Sequence, residues 1–192
     1  PAPRASLAAP RNIVRRMSEV DEVRYERVGA AALLTIDRQA RRNAVDGPTA
    51  ERLLESYRAF EGDGEARVLG VAGAGGVSFC AGADLANGSG SFQFDPSQPH
   101  AEFADLLRFA WTTTMPMIAR INGHCLAGGM GLFAMRDMAV AAEHASFGLP
   151  EVKIGLFPAQ VLAVLQHLSA PRHIAEMCIT GEPISAARAA EI

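Results

Sequence analysis

Residues 73–85 have the sequence GAGGVSFCAGADL, and they directly follow a short apolar run, Val68 to Ala72, that predicts a buried strand. A second glycine-rich stretch, NGHCLAGGMG at residues 122–131, follows the apolar run Met117 to Ile121 in the same way. Glycine permits positive φ and close backbone approach, and the first N–H groups of a following helix have no intrahelical acceptor. Each stretch is therefore a candidate for presenting backbone N–H donors to a ligand, and tight turns that pack helix against sheet are the alternative.

The sequence before the first stretch predicts a hairpin followed by a helix. Two β-rich runs, Val23–Val28 and Ala31–Asp37, are separated by Gly29 and Ala30, which indicates a strand pair. Asp46 is a predicted cap for an amphipathic helix that ends near Gly62. Because a strand–helix–strand order joins parallel strands, we expect a βαβ unit that ends in the strand at Val68.

The same order recurs along the chain without an exact sequence repeat, so the sequence predicts an α/β domain. The remaining predicted elements are a helix over Phe103–Trp111, a strand over Met117–Ile121, a short helix ending near Met135, a strand over Met138–Ala142, and helices over Gln160–Leu168, from Pro171 and from Ser185. Residues 86–100 are rich in Gly, Ser and Pro and lack either periodicity, which predicts a mobile surface loop.

Composition excludes several classes of function. The 192 residues are 49% apolar and 20% charged, with a net charge of -3, which is typical of one globular domain. This charge balance gives no general attraction to phosphate backbones or anionic lipid, so we expect neither nucleic acid nor a membrane as partner. The longest apolar runs fall far short of the roughly 20 residues that a membrane-spanning helix needs.

Cysteine and histidine usage favours a cytoplasmic protein without a metal site. Cys80, Cys125 and Cys178 are widely spaced and lack CxxC pairing, and the histidines show no metal-ligand spacing. The arginine-containing N-terminus has no continuous apolar region typical of a secretion signal. We expect residues 1–20 to be a disordered extension or residues introduced by cloning, and residues 21–192 to be one core domain.

A dinucleotide-binding loop is one reading of the first glycine-rich stretch. Gly73, Gly75 and Gly76 follow a predicted strand, but Ser78 stands where the GxGxxG fingerprint needs its third glycine. No helix-forming run follows directly, and no acidic residue ends a strand about 20 residues later. The sequence therefore argues against this type of site.

Four ordered motifs identify a family. They are Arg42-Asn43-Ala44, Phe79 to Leu85, Ile118 to Gly123 running into Ala127-Gly128-Gly129, and Phe147 to Val152 with Gly155 to Pro158. With these motifs the chain, from about Val23 to Ile192, resembles the crotonase superfamily, that is, the enoyl-CoA hydratase/isomerase family. The resemblance implies a spiral of ββα repeats that binds acyl-coenzyme A, with the usual C-terminal helical region incomplete in this chain.

The resemblance also implies site residues. By motif position, the backbone N–H groups of Ala83 and Gly128 would hold the thioester carbonyl and stabilise an enolate. No separate cofactor is expected, because coenzyme A is part of the substrate. The other residues implied along the substrate path are Ala81, Gly82, Asp84, Leu85, Gly129 and Gly131.

In this family the acid/base carboxylates determine which reaction is catalysed. The hydratases of the family use two glutamates, and this chain has one of them. Glu151 is present in the Pro-Glu motif, where an apolar acyl pocket should raise its pKa, whereas Gly131 stands in place of the other glutamate. One carboxylate suffices to shift a 3-enoyl double bond, while hydration of a 2-enoyl-CoA normally uses two. Both reactions stay open, as do another reaction on a branched acyl-CoA and a catalytically silent acyl-CoA-binding paralogue.

Family members normally continue into helices that close the acyl pocket and build trimers, often paired into hexamers. The resemblance therefore implies a homotrimer or a dimer of trimers for the full-length protein. Without those helices, we expect the apolar faces around Leu162, Leu165, Ile174 and Met177 to lack cover.

Overall fold

The computed structural model describes residues 22–87 and 102–192, so the N-terminal extension and residues 88–100 of the predicted loop lie outside the described residues. Strands and helices follow one another in a repeated strand–strand–helix order, as the family resemblance implied. In chain order they are β1 (Val23–Val28), β2 (Ala31–Ile36), α1 (Gly47–Gly62), β3 (Val68–Gly73), β4 (Ser78–Cys80), α2 (Glu102–Thr112), β5 (Met117–Ile121), β6 (His124–Leu126), α3 (Gly128–Ala134), β7 (Met138–Ala141), β8 (Ser146–Gly148), α4 (Ala159–Leu165), α5 (Pro171–Thr180), β9 (Ile184–Ser185) and α6 (Ala186–Glu191).

The larger sheet confirms the predicted hairpin and parallel crossovers. Its strand order is β1-β2-β3-β5-β7, with β1 antiparallel to β2 and every later pair parallel. Its central strands bury Leu34, Leu69, Val71 and Ala119 at 0% exposure. Burial alternates along β2 and β5, so one face of this sheet carries the core and the other is partly exposed.

A second sheet was not predicted. It has the order β4-β6-β8-β9, in which β4, β6 and β8 are parallel and β9 is antiparallel to β8. Neither glycine-rich stretch is therefore a simple turn from strand into helix. Each stretch turns away from the larger sheet, adds a three-residue strand to the smaller sheet, and only then reaches a helix.

Local signals explain the helix boundaries. Asp46 caps α1, since its side chain accepts a hydrogen bond from Thr49 N at 2.9 Å, and the helix buries Leu53, Tyr57 and Phe60. Ser185 caps α6 through a 3.1 Å hydrogen bond from Arg188 N. The helix predicted over residues 160–168 is α4, which ends at Leu165 because the last residues form a turn instead.

The prediction that the apolar faces of α4 and α5 lack cover is wrong for most of the residues concerned. Leu165, Ile174 and Met177 are 2%, 7% and 4% exposed, because α4 and α5 pack into the core. The exposed large apolar side chains lie elsewhere and include those of Trp111, Met138, Val140, Phe157 and Ile179. Within the described ranges, no helix is both long and apolar enough to cross a membrane.

Asn43 joins the two sheets. It is 1% exposed and has a φ of 56°, in the left-handed region that asparagine tolerates better than most residues. Its Oδ1 accepts a hydrogen bond from Arg38 N at 3.0 Å, and its Nδ2 donates to the carbonyl oxygens of Ala74 and Ser78 at 3.0 and 2.7 Å. The motif residue therefore fixes the chain where it passes from β3 to β4.

We expect Asn43→Ala to lower the free energy of unfolding by about 3 kcal/mol, because it leaves buried backbone groups without partners. Urea unfolding measures this change. The matched control is Gln166→Ala, which removes an exposed amide and should change stability by less than about 0.5 kcal/mol. Equal losses in the two variants would contradict this role for Asn43.

Candidate active site

Three segments meet at one edge of the smaller sheet. Ala81–Asp84 follows β4, Ala127 and Gly128 follow β6, and Leu149–Glu151 follows β8. Because these three strands are neighbours and parallel, their carboxyl ends lie side by side. Ligands of parallel sheets bind outside the carboxyl ends of the strands, so this edge is the candidate active site.

Glycine lets the first two segments approach closely. Gly82 has a φ of +97°, and a Cβ placed on it would lie 2.6 Å from the Cβ of Ala127 and 3.1 Å from Gly128 N. A Cβ on Gly129 would overlap the carbonyl oxygen of Cys80. Side chains at these two positions would push the segments apart, which is the physical requirement behind both glycines.

The predicted oxyanion donors, Ala83 and Gly128, have free N–H groups. Val45 N donates to Gly82 O at 2.8 Å and Asp84 N donates to Val45 O at 2.9 Å, so the Ala83 N–H faces away from Val45. Gly128 is the first residue of α3, where the N–H has no intrahelical acceptor. In residues 22–87 and 102–192, neither N–H donates to a protein acceptor.

Ala127 orients Gly128 and connects it to the third segment. It is one of the few residues other than glycine with a positive φ, 51°, which is a strained backbone conformation. Its N–H donates to Gly148 O at 3.0 Å, and its carbonyl accepts from Met130 N at 2.9 Å. The hydrogen bond to Gly148 ties the start of α3 to the strand end three residues before Glu151.

Glu151 is a buried carboxylate. It lies in a short 3₁₀ helix, Pro150–Ile154, against which α5 packs, and it is 9% exposed. Its Oε2 is buried and has no hydrogen-bond partner in the described structure. Burial raises the pKa of Glu151, as expected for a carboxylate in an apolar pocket, and burial together with the charge of Glu151 raises the pKa of the Cys178 thiol. Glu151 is therefore a candidate acid/base group, and its catalytic role stays a prediction.

Gly131, where the resemblance predicts the second glutamate of a hydratase, faces an apolar surface. A Cβ on Gly131 would lie 3.4 Å from Phe103 Cζ and 3.5 Å from Leu107 Cδ2. These two side chains come from α2 and occupy the space beside α3. No carboxylate of α3 itself faces this space, because α3 has the sequence GGMGLFA.

The Asp84 carboxylate is engaged by two arginines. Its oxygens accept from Arg41 Nη2 at 2.6 Å and Arg41 Nε at 3.1 Å, and Arg38 Nη2 lies 3.1 Å away. The hydrogen bonds from Arg41 hold the pKa of Asp84 at about 2. The side chain therefore fixes the loop that carries Ala83, and any role in substrate binding stays a prediction.

This ion-pair network predicts a loss of stability in acid. Because the pKa of Asp84 is lowered in the folded chain, its stabilising effect is present above the ordinary value of 3.8 and is lost as the pH falls towards about 2. We expect Asp84→Asn to be less stable than wild type at pH 7 and to lose less stability over this acid range. Urea unfolding at several pH values checks this expectation.

The matched control for Asp84→Asn is Glu182→Gln. It removes an exposed carboxylate that pairs with Lys153 at 2.8 Å. Exposed pairs contribute little, so this variant should follow the wild-type pH profile. An Asp84→Asn profile parallel to that of wild type would contradict the role of the network.

The other predicted residues fall around the same edge. Ala81 N donates to Arg42 O at 3.2 Å, Leu85 is 50% exposed at the start of a 3₁₀ helix, and Gly129 packs on Cys80. Their contacts with a substrate stay predictions. His124 lies at the other end of β6 from Gly128, where its Nδ1 is 2.7 Å from Ser146 Oγ.

Sequence reasoning missed Ala127 and Phe103. An alanine in a positive-φ conformation has no sequence signal, since alanine ordinarily avoids this region. Phe103 belongs to the predicted apolar face of α2, but periodicity alone does not show that its ring contacts α3 at Gly128 and Gly131.

Sequence comparisons match this chain to one family of proteins. Residues 26–192 match the sequence model of the enoyl-CoA hydratase/isomerase family. The carnitinyl-CoA dehydratase of Salmonella arizonae is 32% identical over 170 residues, which cover 88% of this chain and 64% of that protein. The protein of the same name from Salmonella enteritidis is 34% identical with the same coverage. The chain thus spans 64% of the length of these curated relatives.

Solved structures show the same fold. An enoyl-CoA hydratase from Shewanella pealeana superposes with a TM-score of 0.83 at 28% identity, covering 90% of this chain and 66% of that one. An enoyl-CoA hydratase/carnitine racemase from Magnetospirillum magneticum gives a TM-score of 0.81 at 28% identity, with the same coverage. From its motifs, its ββα fold and these matches, the chain belongs to the enoyl-CoA hydratase/isomerase family of the crotonase superfamily.

Proposed function

We propose that the protein transfers a proton on the acyl group of an acyl-CoA thioester. The observation that carries this proposal is a buried carboxylate of raised pKa, Glu151, at the sheet edge that also presents the free N–H groups of Ala83 and Gly128. In this proposal the two N–H groups donate to the thioester carbonyl oxygen. Glu151 removes a proton from carbon 2, and the electron pair moves to the oxygen as an enolate.

The backbone N–H groups suit stabilisation of the enolate oxygen, and the carboxylate suits transfer of the proton. Backbone N–H groups stabilise the enolate oxygen without titrating, and they act most strongly where water is excluded. A carboxylate with a raised pKa is a stronger base than an exposed one. These properties support proton transfer at neutral pH without a cofactor other than the coenzyme A of the substrate.

The site favours a double-bond shift. In that reaction Glu151 takes a proton from carbon 2 of a 3-enoyl-CoA and returns it to carbon 4, which leaves a double bond between carbons 2 and 3. One carboxylate serves both steps. The support for this choice is Gly131, which provides no side chain, and the apolar contacts of Phe103 and Leu107 beside it.

Addition or removal of water is the second candidate. The observation that favours it is the 32–34% identity to proteins named carnitinyl-CoA dehydratase. Hydration of a 2-enoyl-CoA, or a related reaction on a branched acyl-CoA, would need another group to hold and activate water. A silent acyl-CoA-binding paralogue would instead bind the thioester and convert nothing.

Three features of the full-length protein also stay predictions. They are assembly as a homotrimer or dimer of trimers, a cytoplasmic location, and independence from nucleic acid and membranes. The described cysteines, Cys80, Cys125 and Cys178, are free thiols, which is compatible with a reducing compartment.

The deciding experiment incubates the full-length protein with a 3-enoyl-CoA and, separately, a 2-enoyl-CoA in isotopically labelled water and follows products by mass. Conversion of the 3-enoyl to the 2-enoyl thioester, without incorporated oxygen, is the expected result. Incorporation of labelled oxygen from water into the product of either substrate would favour the second candidate. Saturable binding with no conversion and no hydrogen exchange at carbon 2 would contradict the proposed function.

A further inference from the structure

We infer that Phe103 determines the outcome of the reaction by keeping water away from the acyl group. This inference rests on the proposed function and adds a specificity-determining residue to it. Its basis is the position of the Phe103 ring across two residues of α3, Gly128 and Gly131. The first of these is a proposed donor to the thioester carbonyl, so the ring lies beside the reacting end of the substrate.

The geometry defines an apolar wall formed by Phe103 and Leu107. Phe103 Cζ lies 3.4 Å from the Cβ position of Gly128 and equally 3.4 Å from that of Gly131, one helical turn later. Leu107, one turn after Phe103 on α2, lies 3.5 Å from the same position at Gly131. Residues four apart share a helix face, so the two side chains form one continuous surface against α3.

The acidic residues of α2 face away from this wall. The carboxyl carbon of Glu102 lies 4.0 Å from the Cβ position of Gly47, at the start of α1. The Asp105 carboxylate pairs with Arg108 Nη1 at 2.6 Å on the exposed side of the helix. Neither described carboxylate of α2 therefore takes the place of the glutamate missing at Gly131.

An ordered water molecule needs two to four polar partners. The apolar wall offers none, and the adjacent Gly128 N–H is taken by the thioester carbonyl in the proposed complex. Hydration adds the hydroxyl of water to carbon 3 and a proton to carbon 2, and so requires a held water molecule. A shift of the double bond moves one proton from carbon 2 to carbon 4 and requires no water. The wall therefore favours the shift and protects the 2-enoyl product from hydration.

The test compares the full-length wild type with Phe103→Ala/Gly131→Glu, which removes the ring and restores a carboxylate. Each protein is incubated with an unbranched 3-enoyl-CoA in ¹⁸O-water, and the fraction of product carrying ¹⁸O is measured. We expect almost no ¹⁸O in the wild-type product and an ¹⁸O fraction about tenfold or more higher with the double variant. This rise is part of the roughly 10²–10⁴-fold rate increase that a well-placed acid/base group contributes.

Two matched variants separate the ring from the carboxylate. Gly131→Glu alone should hydrate little, because Phe103 occupies the space that the new side chain needs. Phe103→Leu/Gly131→Glu keeps an apolar side chain in the wall and should hydrate less than the alanine double variant. If the double variant does not fold, Phe103→Ser alone introduces a hydroxyl that can hold water, and it should raise the ¹⁸O fraction above that of wild type.

Hydrogen exchange at carbon 2 in deuterated water distinguishes failure of the inference from failure of the proposed function. Variants that exchange this hydrogen but incorporate no more ¹⁸O than wild type would overturn the inference alone. A wild type that hydrates as fast as it shifts the double bond would overturn it as well. Absence of exchange in wild type would overturn both the proposed function and the inference.

Discussion

Glu151→Gln should abolish turnover and leave acyl-CoA binding nearly unchanged. The amide keeps the shape of the carboxylate but cannot accept the proton, so kcat should fall about 10²–10⁴-fold, the usual contribution of a general acid/base. The measurements are the steady-state rate with a 3-enoyl-CoA and a binding titration with a saturated acyl-CoA. Glu143→Gln, which changes an exposed carboxylate, is the matched control and should retain full activity.

The same variant should change how stability depends on pH. Burial raises the pKa of Glu151 above its ordinary 4.5, so the folded wild type loses stability as the pH rises from below that value through the raised pKa. Glu151→Gln lacks this loss and should be more stable than wild type at neutral pH. Undiminished turnover, or a variant that shows the wild-type dependence of stability on pH, would contradict the assignment of Glu151.

Gly129→Ala should damage both the fold and the oxyanion site. The added methyl group would overlap the carbonyl oxygen of Cys80, which belongs to the backbone and cannot rotate away. Overpacking of this kind costs about 1–3 kcal/mol of unfolding free energy. The forced separation would also move Gly128 N away from Ala83 N, and loss of one oxyanion donor lowers kcat by about 10²–10³-fold.

Gly76→Ala is the matched control for this substitution. A Cβ at Gly76 would meet nothing within 4 Å, so the variant should keep the stability and activity of wild type. Thermal unfolding and the rate with a 3-enoyl-CoA are measured on both variants. If Gly129→Ala unfolds at the same temperature as Gly76→Ala and is equally active, close approach of the two segments is not required.

Local sequence signals predicted the larger sheet and most helices. The hairpin at Gly29, the cap at Asp46 and the cap at Ser185 each depend on residues within a few positions of one another. The smaller sheet had no comparable signal. Its strands are only two or three residues long, and pairs such as Cys80 with Cys125 join positions far apart in the sequence.

The candidate site could likewise be predicted from the sequence only in part. The structure brings Ala83, Gly128 and Glu151 to one sheet edge through a sheet that the sequence did not predict, and their catalytic roles stay predictions. The burial of Glu151 depends on α5, which packs against its turn from later in the chain. The position of Phe103 over α3 depends on how two helices pack, and an apolar period does not specify the partner of an apolar face.

The central claim is that two backbone N–H groups hold and polarise a thioester carbonyl, and isotope-edited infrared spectroscopy tests it most directly. A saturated acyl-CoA with a ¹³C carbonyl would be bound to the full-length wild type, Glu151→Gln and Gly129→Ala. We predict that the carbonyl band moves to lower frequency in wild type and Glu151→Gln and moves less in Gly129→Ala. A band that stays at its frequency in water when the thioester binds to wild type would contradict the claim.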